Sequence, residues 1–219
     1  MKDLETKALF VNEETKAPLE FLKGFKYPWE AVLHIKDFVC QLGKTLSRDV
    51  YEEITEGVWI SKKAKVSKSA CILPPTVIED EAEVRHCAFI RGGVFVGKGA
   101  VVGNSTELKN AILFDYAQAP HFNYVGDSIL GYKAHLGAGA ITSNVKGDKL
   151  QVRILGKIDT GFKKLGAILG DFAEIGCGAV LNPGTIIGER ASVYPLCSVR
   201  GFVPKNHIYK GKGEIIEKV

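Results

Sequence analysis

Long apolar runs, paired cysteines and a strong charge of either sign are all missing from this 219-residue chain. No stretch approaches the ~20 apolar residues that cross a bilayer as a helix. The opening MKDLETKALF also lacks the apolar core of a signal peptide. The five cysteines (Cys40, Cys71, Cys87, Cys177 and Cys197) form no CxxC pair and keep no regular spacing. That usage fits a reducing, cytoplasmic compartment. A net charge of +4 is too mild for nucleic-acid binding by bulk electrostatics, so neither nucleic acid nor membrane is an expected partner.

What the chain does have is a beat. Stepping by six from Ile60 gives Val66, Ile72, Ile78, Val84, Ile90, Val96, Val102 and Leu108 without a miss. A second series of small residues trails it: Ala64, Ala70, Thr76, Ala82, Ala88, Val94, Ala100 and Thr106. A period of six suits neither a helix nor a simple alternating strand. It suits a chain that turns a corner every six residues, pointing one branched and one small residue inward from each flat face. Three faces close a triangular coil, and stacked coils pair along the stack. Ordinary sandwich strands would show turn signals at irregular spacing instead. The expected fold is therefore an all-β solenoid, a parallel β-helix of hexapeptide repeats.

Three segments follow. Residues 1–50 form a helical and irregular N-terminal cap, in which Trp29, Val32, Leu33, Ile35, Phe38, Val39 and Leu42 recur at helical spacing and Gly43 is placed to stop the helix. Such a capping helix would close the open end of a solenoid, or dock a partner. Residues 51–203 are the β-helix. Its beat shifts register after about residue 109, resumes at Leu130 and Leu136, and returns from Leu169 to Val199, with Cys197 in a small inward position. Between these runs an inserted loop, about 143–163, carries Lys146, Lys149, Arg153, Lys157 and Lys163 against Asp148 and Asp159. Its excess charge could meet phosphates or simply be wet. Residues 204–219 are a polar tail that frays at Val219.

The segments Arg91-Gly92-Gly93, Val102-Gly103-Asn104, Glu107-Leu108-Lys109, Ala119 to Asp127 and Gly137 to Asn144 carry a closer likeness, ungapped from Arg91 to Asn144. This region resembles the C-terminal acetyltransferase domain of bacterial bifunctional glucosamine-1-phosphate acetyltransferase / N-acetylglucosamine-1-phosphate uridyltransferase. A weaker likeness is to the C-terminal parts of sugar-1-phosphate nucleotidylyltransferases. The resemblance implies a left-handed β-helix, a homotrimer, and transfer from acetyl-CoA to an amino sugar phosphate in UDP-N-acetylglucosamine biosynthesis. It also implies roles for single residues. Arg91 and Lys109 would hold the sugar phosphate, Tyr124 would contact the sugar, His121 would be the catalytic base, and Asn144 would lie near the acetyl group. His135 stands at a sugar-binding position where the family has Asn, and Val145 where it has Tyr. Ala138, Ala140, Lys149 and Lys205 would line the cofactor path. No nucleotide-binding N-terminal domain is expected before residue 50, so a separate nucleotidyltransferase would be a partner.

The residues themselves suit this chemistry. An amine must be neutral to attack a thioester, and a neutral imidazole is well poised to take its proton near pH 7. Arg91 and Lys109, three hexapeptides apart, would stack on adjacent coils as a phosphate clamp, although spacing alone equally allows a solvated basic edge. Tyr124 could be a stacking platform or a core aromatic. An oxyanion donor is expected among the backbone N–H groups of Gly137 to Gly139. Two other functions compete: a non-catalytic trimeric scaffold or sugar-phosphate binder, and a metal site resembling γ-class carbonic anhydrase built from His86, His121 and His135, whose spacing does not favour it. The expected function is acyl-CoA-dependent N-acetyl transfer to an amino sugar phosphate or nucleotide-linked amino sugar, without an acyl-enzyme and with no residue assigned to a metal.

Overall fold

The computed structural model describes residues 1–218; the fraying expected at Val219 lies outside them. The chain is the left-handed parallel β-helix of about eight turns that the repeat and the resemblance implied. Face 1 begins with strands Val58–Ser61, Thr76–Ile78 and Val94–Val96. Face 2 begins with Lys65–Val66 and Glu83–Val84, and face 3 with Cys71–Ile72 and Phe89–Ile90. Successive coils pair in parallel, as Val58 with Thr76 and Thr76 with Val94. The beat residues Ile78, Val84, Ile90, Val96, Val102 and Leu108 fill the bore with the small Ala82, Ala88 and Ala100, all buried. Cys197 joins this core at the small inward position its spacing indicated. Many corners turn through a residue of positive φ. Glu81, Tyr116, Lys133, Phe172 and Arg190 occupy that position between faces 1 and 2, as a type II turn requires at its third residue.

The register shift has a local cause. Strand pairing advances by 18 residues from Thr76 to Val94, but by 17 from Val94 to Ala111 and again from Ala111 to Ser128. Each short coil loses its residue at the corner between faces 3 and 1. There the chain runs on as the long strands Glu107–Leu113 and Tyr124–Leu130. Asn110 (φ 49°) and Asp127 (φ 49°) take the left-handed conformation at those corners, which Asn and Asp tolerate better than most residues.

The N-terminal segment is not an end cap. Helices α1 (Thr6–Leu9), α2 (Lys16–Lys23) and α3 (Ile35–Thr45), with a 3-10 turn at Pro28–His34, run along the outside of face 1. The reason is a second apolar stripe. The outward residue of each face 1 strand is also hydrophobic: Trp59, Val77, Phe95, Ile112, Ile129, Ile168 and Ile186. These pack against Leu22, Trp29, Val32, Ile35 and Val39 as a second core. Gly43 lies inside α3 rather than after it, and a Cβ there would meet the Trp59 ring at 2.1 Å. It is the site of closest approach, not the stop. Buried Asp171 fastens the segment, accepting hydrogen bonds from the Val11, Asn12 and Tyr132 N–H groups at 2.7, 2.8 and 2.9 Å.

With the helices on the side, the N-terminal mouth keeps a hollow of about 470 Å³ bordered by Ile60, Ala64, Val66, Ala70 and Ile72. The C-terminal end is closed by a hairpin, His207–Gly211 with Glu214–Glu217, whose Tyr209 is buried in the bore. The tail is therefore the last rung and its return. The inserted loop is likewise ordered. A short hairpin, Arg153–Ile154 with Ile158–Asp159, leans on the coils through fully buried Val152, Ile154 and Leu165. No helix among the described residues is long and apolar enough to cross a membrane.

Candidate active site

The two shortened corners carry the cluster. Glu107 pairs with Phe89 and Leu108 with Ile90, so Lys109 stands one rung above Arg91 at the edge between faces 3 and 1. The expected stacking is present, but neither cation is free. Arg91 donates to Glu107 Oε1 at 2.7 Å, and Lys109 Nζ lies 3.6 Å from Asp127 Oδ2. Asp127, 5% exposed, also accepts from Asn110 Nδ2 at 3.0 Å and Asn144 Nδ2 at 2.5 Å. That carboxylate is the hub of the corner.

Tyr124 lies along its own strand rather than in the bore. A Cβ on Gly126 would meet its hydroxyl at 2.5 Å, so the absent side chain there gives the ring its bed. Burial, then the charges of Asp127 and Glu107, pushes its hydroxyl above the usual tyrosine range, against the opposing pull of the nearby Asn144 amide and of Arg91. Asn144 is also where the insertion leaves the coil, its carbonyl accepting from the Leu165 N–H at 3.0 Å. Arg91, Lys109, Tyr124 and Asn144 are thus brought together. Glu107, Asn110 and Asp127 complete the group, and sequence reasoning assigned them no part. The one available signal was the five-residue step from Leu108 to Leu113, and from Val125 to Leu130, where six was the rule.

His121 lies at the other border of the same face, the corner between faces 2 and 3. It is exposed, beside exposed Phe122 with ring centroids 6.4 Å apart. Its backbone is pinned by Asn123, which takes a small inward position in the repeat. The Asn123 Oδ1 accepts from the His121 N–H at 3.0 Å, and its Nδ2 donates to the carbonyls of Gly137 at 2.9 Å and Ala140 at 3.0 Å. From His121 to Asp127 the chain crosses one face, at most about 20 Å at ~3.3 Å per residue.

Other expected positions are dispersed. His135 is on face 2, not face 3, with Nδ1 2.9 Å from Glu174 Oε2, so within this chain it does not join Tyr124. The four cofactor positions fall in different places, because a three-sided coil separates residues by corner. Ala138 is half-buried at the corner between faces 2 and 3, on the rung after His121. Ala140 is fully buried, so its methyl packs in the bore and its carbonyl is taken by Asn123. Lys149 is exposed on the insertion. Lys205 sits at the corner between faces 1 and 2, 2.5 Å from buried Glu189. Two expected oxyanion donors are also engaged, Gly137 N–H on the Ile175 carbonyl and Gly139 N–H on the His121 carbonyl. Among the described residues, no group of three or more His, Cys, Asp or Glu side chains could hold a metal ion.

Coils of six-residue faces with a polar cluster where two coils run short define the class: a hexapeptide-repeat β-helix protein. Comparison with known proteins narrows it. The family model described as the GMPPB C-terminal domain matches residues 72–160. Bifunctional protein GlmU of Methanococcus maripaludis is 31% identical over 206 residues, covering 90% of this chain and 50% of that protein. The bifunctional sugar-1-phosphate nucleotidylyltransferase/acetyltransferase of Sulfurisphaera tokodaii is 32% identical over 112 residues, covering 50% of this chain and 28% of its own. Among solved structures, the polySia-specific acetyltransferase NeuO aligns with a TM-score of 0.49 at 13% identity, over 73% of this chain and 77% of its own. The chain spans about half the length, or less, of the curated relatives it matches. The likeness to GlmU-type proteins, first seen between Arg91 and Asn144, extends along nearly the whole chain.

Proposed function

We propose that this chain is an acyl-CoA-dependent N-acetyltransferase, taking acetyl-CoA as co-substrate and an amino sugar phosphate or nucleotide-linked amino sugar as acceptor. The observation that carries this reading is the pairing of Arg91 and Lys109 on successive rungs beside Tyr124 and Asn144, across one face from His121. The likeness to GlmU-type proteins supports it. The phosphate displaces Glu107 and Asp127 from the two cations, gaining charge-assisted hydrogen bonds. The sugar lies along Tyr124 with its amine toward His121. The amine nitrogen attacks the thioester carbonyl, His121 takes the amine proton, and the C–S bond breaks to release the CoA thiolate. Direct transfer leaves no acyl-enzyme. A homotrimer packing face 2 of one copy on face 3 of the next would carry His135 to Tyr124, the contact a single chain does not make.

His121→Ala tests the assignment, with release of the CoA thiol as the assay. Turnover should fall by about 10²–10⁴, while thermal stability holds, because the exposed ring makes no hydrogen bond to the fold. Unchanged turnover would remove His121 from the chemistry.

A second reading, a non-catalytic trimer that binds sugar phosphates, is favoured by one observation: both cations already have carboxylate partners. Calorimetry with acetyl-CoA separates the two, since a scaffold has no reason to bind it.

A further inference from the structure

The inserted hairpin forms a second basic site. Between it and the last corners of faces 3 and 1 lies a cleft of about 500 Å³, bordered by Lys146, Arg153, Arg200, Leu155 and the backbone of Pro183-Gly184 and Gly201. Three cations line it and no carboxylate does. The acids that pair with two of them, Asp148 (3.0 Å from Lys146) and Asp159 (3.7 Å from Arg153), are not part of the lining. Among the described residues Arg200 has no carboxylate partner and donates instead to an amide oxygen, Asn182 Oδ1 at 3.3 Å.

The walls are built to stay close. Gly184 (φ +78°) has no room for a side chain, since a Cβ would meet Val152 Cγ1 at 2.7 Å, whereas at Gly201 (φ +92°) a Cβ would make an ordinary 3.4 Å contact with Leu155 Cδ2 and the backbone conformation is what favours glycine. Glycine at 184 lets the hairpin settle onto the coils, and at both corners it takes a positive φ without strain. The register also sets the site's distance from the Lys109 cluster. Along this edge Lys109 pairs with Gly126, and the following rungs are Thr142, Leu181 and Val199, each beside its corner. Arg200 is thus four rungs from Lys109, about 19 Å at ~4.8 Å per rung. A cation at that distance does not serve the same phosphate.

We propose that the cleft binds the diphosphate of a diphosphate ester, with Arg200 and Arg153 as planar forks and Lys146 as a point charge. A single phosphate would leave much of the volume empty, whereas two linked phosphates carry more of the negative charge that three lining cations favour. Nucleoside diphosphates and coenzyme A both present that group. The inference does not depend on acyl transfer, and His121 takes no part in it.

Titration calorimetry with inorganic pyrophosphate, UDP and CoA, each against the intact chain, tests it. Wild type should bind UDP or CoA and, more weakly, pyrophosphate. Arg200→Gln, and separately Lys146→Gln with Arg153→Gln, should weaken binding by about tenfold or more, the scale of a charged phosphate contact. Those side chains are exposed or half-exposed, so the variants should fold. Leu33→Ala, at an exposed side chain of the N-terminal segment away from the cleft, should bind as wild type does. Whether UDP or CoA responds to Arg200→Gln identifies the source of the diphosphate. The proposal is overturned if none of the three probes binds at about 1 mM, a ~4 kcal/mol threshold, or if both cation variants bind like wild type.

Discussion

Truncating Phe95 to alanine tests whether the N-terminal helices are part of the fold or an appendage. Phe95 points outward from face 1 yet is 2% exposed, because Phe38 of α3 lies over it with ring centroids 6.1 Å apart. Phe38 in turn stacks on Phe21 at 4.4 Å, so the ring is a link between helix α3, helix α2 and the solenoid. Removing a buried phenyl group costs about 3–5 kcal/mol in transfer and cavity terms. For a chain of this size about 2–4 °C of melting temperature goes with each kcal/mol. Calorimetry should therefore show a fall of roughly 6–20 °C. Hydrogen exchange should show the amides of Ile35–Thr45 losing protection ahead of those in the bore. Leu196→Ala, at a side chain 84% exposed, is the control and should change little. A fall below about 2 °C for Phe95→Ala, with α3 still protected, would refute the second core.

The remaining predictions concern the corners. Gly126→Ala should push the Tyr124 ring from its bed, since the new methyl would lie 2.5 Å from the hydroxyl. The KM for a phosphorylated acceptor should rise about tenfold, the scale of one lost hydrogen bond, and an unchanged KM would detach Tyr124 from binding. Gly184→Ala should cost about 1–2 kcal/mol from its positive φ alone, besides displacing Val152. Faster proteolytic cleavage within 146–164 is the readout, and wild-type resistance would contradict it. Asp171 gives a pH dependence. Burial outweighs its three backbone N–H partners and raises its carboxyl above the usual range. Its contribution to stability is therefore whole below about pH 4 and lost as pH rises through the raised value. The melting temperature of wild type minus that of Asp171→Asn should shrink as pH increases from 3 to 7, and a growing difference would reverse the sign.

The pattern of what could be read follows from physics. The bore was legible because each inward position sees only its own kind in the coils above and below, which imposes a strict period. The helical content of the N-terminal segment was legible too, but its place was not. The deciding signal was the apolar residue standing between beats once every three faces, as in Trp59, Val77 and Phe95, a longer period hidden inside the shorter one. Lys109 over Arg91 could be predicted because spacing becomes height in a solenoid. The hub, Asp127, could not. It gathers Asn110, Asn144 and Lys109 only because two coils each drop a residue at one corner. Lys205 shows the reverse case. Its place at the other corner, against Glu189, depends on the phase the chain keeps after an insertion of uncertain length.

The sequence by itself determined the solenoid, the inward residues and the vertical order of the candidate site, since a repeat of six leaves few other ways to bury its aliphatic series. Only the tertiary structure decided which corner each polar residue occupies. It put the helices along face 1 instead of over the mouth, turned a charged loop into the wall of a cleft, and left the cations at Lys109 and Arg200 about 19 Å apart on one edge at ~4.8 Å per rung. The reason is geometric. A missing residue at a corner, or an insertion between coils, changes which side of a triangle every later side chain faces, while the buried beat reads the same.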